Sequence, residues 1–381
     1  MIPYGKHLVD EDDIDAVVDV LRNQFLTQGT VVPQFEQALC EYTKAKHCVA
    51  VNSATSGLHV ACLAAGVVAG DSVWTVPNSF VASANCALYC GASIDFVDID
   101  PDTRNIDIDA LEQKLLNAAN LNRLPKALIL VHFSGLSCDM QAIHRLTQVY
   151  SIVLIEDAAH GLGGSYQQSK IGSCVYSDMT VLSFHPVKSI TSAEGGAVLT
   201  NQSQLHEKLK LFAKHGVTKD ASQYQGESHG PWYYQQIELG YNYRLSDMQA
   251  ALGLSQLKKL DVFIQKRSEL AKVYDKELAD LPLKLPIVQT QSQSAWHLYM
   301  VELTQHQRLD VYQQLHNKGV GVNVHYIPIH LQPFYQQFGF KQGDFPVSEH
   351  FYQNALTLPL FPSLTATEQT KVIDTLHQVL L

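Results

Sequence analysis

The sequence has few charges and no block of one sign. Charged residues make up 17% of its 381 residues, with 27 Lys and Arg against 37 Asp and Glu and a formal net charge of −10. No run of basic residues occurs, which excludes nucleic acid as the main partner. Cysteine is scarce as well: seven residues, at 40, 48, 62, 86, 90, 138 and 174, and none beyond. An odd number with no C-x-x-C excludes a disulfide framework and predicts reduced thiols packed as small hydrophobes in a cytoplasmic protein. A long apolar run is also missing. The longest uncharged stretch, Val73 to Ile94, is broken by Pro77, Asn78, Asn85 and three serines and makes a poor membrane span. The opening MIPYGKHLVDEDD turns acidic at once and predicts no signal peptide.

What is present is an ordinary globular composition, 46% hydrophobic, at a length of two or three folding units. A chain of this size buries roughly three quarters of its unfolded surface and needs no staple. Helical periodicity alternates with short β-rich runs over the first two thirds. Helices are predicted at 10–21, 35–42, 56–66, 79–90, 107–119 and 139–149. Strands are predicted at 47–53, 72–76, 93–98, 127–132, 151–156 and 179–184. Alternation of this kind predicts right-handed βαβ units and a mostly parallel sheet, with ALILVHF and SIVLIED as strands covered on both faces. In the first helix the apolar stripe is Ile14, Val17, Val18 and Leu21, behind an Asp10 cap. After about residue 250 the pattern changes to one long predicted helix, 250–279. A strand in SAWHLYMVEL, a helix at 306–318 and a closing helix at 366–380 follow, a smaller α+β unit.

The chemistry concentrates in two segments, IEDAAHGLGG at 155–164 and SFHPVKSITSAEGG at 183–196. Each begins at the C-terminal end of a predicted strand, where open α/β sheets place their ligands. The first presents Glu156, Asp157 and His160; the second presents Ser183, His185 and Lys188. A carboxylate and a lysine on neighbouring strand ends answer the needs of pyridoxal 5'-phosphate (PLP). The carboxylate pairs with the pyridine N–H⁺, and the lysine forms a Schiff base and later moves protons. Upstream, VNSATSGL at 51–58 opens a helix whose N-terminus can take a phosphate, and TVPNSF brings Phe80 to the same edge as a ring to stack on. Each feature also has a plainer reading, as a helix cap, a solvated lysine or a core aromatic. Other motifs fail. GLGGSY has Tyr166 where the dinucleotide fingerprint needs a glycine, no P-loop is present, and neither Cys86 with Cys90 nor His325 with His330 completes a metal set.

The set NSATSGL, TVPNSFVASAN, IEDAAHGLGG, SFHPVKSITSAEGGAVLTN, KHGVTKD, GYNYRLSDMQAALGLSQL and VHYIPIHLQPFY resembles the DegT/DnrJ-type sugar-nucleotide aminotransferases almost from end to end. LTQG, HFSGLSCDM, GPWYYQQIELGYNYRLSD and NVHYIPIHLQP most resemble the branch of that family that serves pseudaminic acid synthesis. The resemblance implies the aspartate aminotransferase-like fold of PLP-dependent transferases, class α/β. A large, mostly parallel sheet domain with helices on both faces would span 1–250, and a smaller C-terminal α+β domain 251–381. It implies PLP as cofactor, with Lys188 as the Schiff-base lysine, Asp157 on the ring nitrogen and His160 near the phenolic oxygen. Ala54, Thr55 and Ser183 would hold the phosphate and Phe80 would stack on the ring. Asn242 would reach the phosphate of the neighbouring subunit's cofactor, making a homodimer with shared sites. Substrate contacts are expected at Thr27, Gln28, His185, His325 and Tyr326, and no metal is expected. The implied reaction carries an amino group from L-glutamate to C4 of a UDP-linked 4-keto-6-deoxy-2-acetamido sugar. The alternatives are other keto sugars, such as UDP-bacillosamine or GDP-perosamine precursors, or a PLP-binding regulator without activity. Two positions depart from the family pattern. Lys214 stands where Arg is usual, and Leu136 where a polar residue is commoner.

Overall fold

Seven strands form the central sheet of the computed structural model, which describes residues 1–381. They are β1 (His47–Val51), β2 (Ser72–Thr75), β3 (Ser93–Phe96), β4 (Ala127–Val131), β5 (Val153–Asp157), β6 (Met179–Ser183) and β7 (Gly196–Thr200). The order across the sheet is β1-β7-β6-β5-β4-β2-β3. β7 alone runs against the rest, pairing antiparallel with both β1 and β6. The antiparallel GAVLT strand was not anticipated; like β4 and β6 it is buried throughout and carries no alternation to read.

Helices cover both faces. α1 (Glu11–Asn23) and α2 (Val31–Thr43) lead in; α3 (Ala54–Ala64), α4 (Ala82–Tyr89), α5 (Ile108–Asn120) and α6 (Met140–Tyr150) are the crossovers; α7 (Ser203–Ala213) follows β7. One core, with Val60, Cys86, Ile129, Val181 and Val198, lies under α3, α4 and α7. Another, with Trp74, Leu111, Leu130 and Ile143, lies under α5 and α6. Because every parallel strand ends on one edge, the loops carrying function converge there.

Two sequence expectations require correction. The predicted helix 250–279 is two helices, α8 (Asp247–Leu257) and α9 (Leu260–Glu277). α8 packs on α1 and α2, whereas Ala271 and Tyr274 of α9 belong to a core of the C-terminal unit, so the axis must break between them. The break falls at Lys259, whose ammonium is drawn to Asp10 and Asp13. For the same reason α1 does not bury its Ile14/Leu21 stripe. Asp13 and Val20 face α8, and Ile14 and Leu21 are exposed.

The C-terminal unit is built on a three-stranded antiparallel sheet of Leu283–Lys284, Tyr299–Leu303 and Ala355–Leu358, backed by the helices Arg308–Asn317 and Ala366–Leu380. Ile2 packs in its core and hydrogen-bonds to Gly319 and Gly321, so the chain's N-terminal residues sit with this unit. Its segments 295–298 and 323–326 reach the functional edge of the large sheet.

Candidate active site

A cleft of about 560 Å³ opens at the C-terminal edge of the parallel strands. Its walls bring together Ala54, Thr55, Phe80, Asp157, His160, Ser183, His185, Lys188, His325 and Tyr326, ten of the thirteen residues singled out in the sequence. Asp157 is the last residue of β5, between Val131 of β4 and Val181 of β6. Its Oδ1 accepts from the Ala159 amide at 3.1 Å and its Oδ2 from Ser83 Oγ at 2.6 Å. Strand alternation turns Glu156 to the opposite face. There it accepts from Thr180 Oγ1 at 2.9 Å and meets His132 Nε2 at 2.6 Å. Burial disfavours the Glu156 charge, yet the His132 contact holds the carboxyl below the usual carboxylate range. Glu156 is thereby a core anchor, and Asp157 the carboxylate of the cleft.

At the other end, Ser53 caps α3 by accepting from the Ser56 amide at 3.1 Å. The amides of Ala54 and Thr55 stand in the first turn, before any intrahelical acceptor, on the positive end of the helix dipole. β7 passes so close that a Cβ at Gly196 would lie 2.6 Å from the Ala54 nitrogen. Gly196 pairs with both Val51 and Ser183, which locks α3's start beside the end of β6. This is a cradle for an anion, one strand from a buried carboxylate.

Lys188 lies half-buried between these ends, on the loop after β6. Loss of hydration pulls its pKa down to about 8, against the opposing pull of Asp157. Three buried histidines stand around it. Burial, with Lys188 adding repulsion, holds His160 and His297 well below the ordinary imidazole value and His325 down to about 4. All three are neutral at physiological pH. His325 Nδ1 is 2.7 Å from Thr357 Oγ1, and His160 and His297 pack at 4.3 Å between ring centroids.

His297, Tyr4, Glu194 and Asn323 also line the cleft and were not read from the sequence. His297 arrives because the segment leading into the strand Tyr299–Leu303 is stitched to the turn after β4: Ala295 N–H donates to Gly135 O at 2.9 Å and Leu298 N–H to Ser134 O at 3.2 Å. Gly135, at φ +102°, is required there, since a Cβ would meet the His297 and Trp296 nitrogens at 3.0 Å. Nothing in SAWHLYM distinguishes such a histidine among seventeen. Thr27, Gln28 and Asn242 do not line the cleft of their own chain and are exposed. Leu136, the departure in HFSGLSCD, is buried away from the cleft; Lys214 is exposed and forms a backbone bridge with Asn242.

The chain is similar along its whole length to characterised and solved proteins. It is 39% identical over 387 residues to UDP-4-amino-4,6-dideoxy-N-acetyl-beta-L-altrosamine transaminase of Campylobacter jejuni, covering 100% of this chain and 98% of the relative. It is 37% identical over 385 residues to the spore coat polysaccharide biosynthesis protein SpsC of Bacillus subtilis, covering 99% and 97%. Among solved structures, Helicobacter pylori PseC, an aminotransferase involved in the biosynthesis of pseudoaminic acid, superposes with a TM-score of 0.89 at 35% identity, covering 100% of this chain and 99% of that one. The putative sugar aminotransferase Spr1654 of Streptococcus pneumoniae, in its PMP form, gives 0.91 at 29% identity, covering 100% and 99%. The DegT/DnrJ/EryC1/StrS aminotransferase family model matches residues 7–377. The chain belongs to this family of PLP-dependent sugar aminotransferases, and the cleft at the sheet edge is where its residues fit that cofactor.

Proposed function

We propose that this aminotransferase carries an amino group from L-glutamate to C4 of a UDP-linked 4-keto-6-deoxy-2-acetamido sugar, in the synthesis of a pseudaminic acid-type sugar. The observation that carries the reading is the joint placement of Asp157, Lys188 and the start of α3 on one cleft, in a chain 39% identical to an altrosamine transaminase. Bound there, PLP supplies an aldehyde that takes up and gives back the amino group and a ring that accepts electrons. The Ala54 and Thr55 amides and the Ser183 hydroxyl hold its phosphate. Asp157 keeps the ring nitrogen protonated, an electrostatic contribution in a site partly closed to water. Phe80 would cover the ring and His160 would lie beside it, both lining the cleft. Lys188, with its pKa near 8, is neutral often enough to take and return a proton. His185, His325 and Tyr326 also line the cleft and would meet the sugar.

Thr27, Gln28 and Asn242 serve a second copy of the chain. They are exposed and outside their own cleft, and the neighbouring Ile14, Leu21, Phe25 and Leu26 form exposed apolar surface suited to a homodimer. All seven cysteines are free, which suits the cytoplasm, and no helix is long and apolar enough to cross a membrane.

The test is incubation with L-glutamate and a panel of UDP- and GDP-linked keto sugars, followed by 2-oxoglutarate release and by NMR of the product. An amine at C4 of the UDP-linked 2-acetamido sugar is expected, and Lys188→Ala should yield none. Turnover confined to a GDP-linked or 3-keto sugar would replace the substrate. No 2-oxoglutarate with any sugar would return the protein to the class of silent PLP binders.

A further inference from the structure

The carboxylate at the end of β5 does not stand alone. Ser83, in the first turn of α4, donates from Oγ to Asp157 Oδ2 at 2.6 Å. That hydroxyl has one proton, already committed to Asp157, so its contact with Ser79 Oγ at 2.7 Å has Ser79 as the donor. The direction of the chain is therefore fixed: Ser79 to Ser83 to Asp157. Ser83 is fully buried and Ser79 nearly so. Between them in sequence stands Phe80, whose carbonyl accepts from the Ser83 amide at 3.2 Å. One short turn thus delivers the aromatic wall of the cleft and a two-hydroxyl relay to the carboxylate behind it.

Chemically, a buried carboxylate has two demands that conflict. It must remain an anion facing the cleft, and it must not wander toward the protein interior. The Ala159 amide restrains Oδ1 and Ser83 restrains Oδ2, so both oxygens are held from the protein side and their remaining lone pairs are left for a ligand. Hydrogen bonds to an ionised group are roughly twice as strong as neutral ones, and a chain of them polarises further. A serine that only filled space would not need its hydroxyl aimed at Asp157, nor a second hydroxyl aimed at its own.

We propose that Ser83, polarised by Ser79, is a positioning residue that holds the Asp157 carboxylate oriented for the ring nitrogen of the cofactor. This rests on the assignment of Asp157 to that nitrogen. Ser83 does not line the cleft and acts through Asp157, while Ser79 reaches the cleft wall beside Phe80. The effect of the pair is on the proton at the ring nitrogen, and through it on the electron-accepting power of the ring.

The test uses the full-length holoenzyme loaded with PLP labelled with ¹⁵N in the ring. The ¹⁵N chemical shift reports protonation of the ring nitrogen directly, apart from turnover. Ser83→Ala is expected to move the signal part of the way toward the unprotonated position and to lower kcat about tenfold, with KM for L-glutamate within about twofold. Ser83→Thr, which keeps the hydroxyl, should restore both. Ser79→Ala should lower kcat by about threefold alone and by nothing further in the Ser83→Ala background, because the relay is then already cut. Asp157→Asn should move the signal fully and cost on the order of 10² to 10⁴ in rate. A wild-type ¹⁵N shift in folded Ser83→Ala, with Asp157→Asn displaced, would overturn the relay. No displacement in Asp157→Asn itself would overturn the assignment beneath it. Additive losses in the double variant would make the two serines independent packing residues. Should Ser83→Ala fail to fold, the ¹⁵N shift of Ser79→Ala decides: an unmoved signal there rejects the relay.

Discussion

Tyr326 meets His160 across the cleft, with its Oη 3.3 Å from His160 Nε2. The contact joins the C-terminal unit to the loop after β5. Burial holds the Tyr326 phenol above its ordinary range and His160 below its own, so both are neutral. A neutral phenol can donate or accept, so the direction of this bond follows the His160 tautomer, while His160 Nδ1 has its own demand. That nitrogen is buried without a partner in the chain. It is the ring nitrogen left for a bound ligand. Tyr326→Phe removes this contact to His160 without opening a cavity. Activity is expected to fall by about three- to tenfold while the melting temperature stays within a few degrees. Steady-state kinetics and a thermal melt check both halves.

Lys188 gives a pH dependence that can be read without turnover. Its pKa near 8 comes from lost hydration, partly offset by Asp157. Only the neutral amine attacks an aldehyde. The rate at which apoprotein takes up PLP, followed by absorbance, should rise about tenfold per pH unit below pH 8 and flatten above it. Asp157→Asn removes the neighbouring anion, so the turning point should move to lower pH. A flat profile between pH 6 and 9 would mean that Lys188 is not desolvated as described.

How much of this was legible in the sequence follows from the length scale of each interaction. Asp157, Lys188 and the Ser53-capped start of α3 sit on strand ends and helix starts, which local patterns reveal, and the structure brings all three to one cleft. His297 could not be read, because its place depends on Gly135 admitting a segment about 160 residues downstream. Ser79 and Ser83 looked like ordinary loop and helix residues. Their aim at Asp157 exists only after β2 and β5 are set in the same sheet. The break between α8 and α9 was hidden for a related reason. Helical periodicity continues through Lys258 and Lys259, and what stops the helix is two cores in different directions.

Asp13 and Lys259 define a stability test. The Asp13 carboxylate is fully buried, with Lys259 Nζ at 2.7 Å and Gln256 Nε2 at 2.6 Å. Burial alone would push this carboxyl up; Lys259, Ser255, the Asp10 amide and Gln256 together hold it below the usual carboxylate range. A carboxyl depressed in the folded state stabilises above its unfolded pKa of about 3.9, and that stability is lost as pH falls through the folded value. Asp13→Asn should therefore cost about 2 kcal/mol at pH 7, mostly by leaving Lys259 without its inner partner. Urea midpoints for wild type and variant should converge on acidification below about pH 4. A gap that persists there would assign the loss to packing instead of charge.

Asn242 tests whether two chains share a cleft. Its Oδ1 accepts from Arg244 Nε at 3.0 Å, which leaves the amide N–H₂ pointing outward as a donor on an exposed segment. Its backbone is fixed as well, bridged to Lys214 at the end of α7. A side chain so held, outside its own cleft, is suited to an anionic group on another subunit. Lys188→Ala and Asn242→Ala homodimers are each expected to be weak. Mixed and re-equilibrated, the heterodimer collects both lesions in one cleft and leaves the other intact if Asn242 acts across the two-fold axis. Activity should then rise toward about a quarter of wild type, because half of the dimers are mixed and each has one sound cleft. If Asn242 served its own chain, every cleft in the heterodimer would carry one lesion, and mixing would recover nothing.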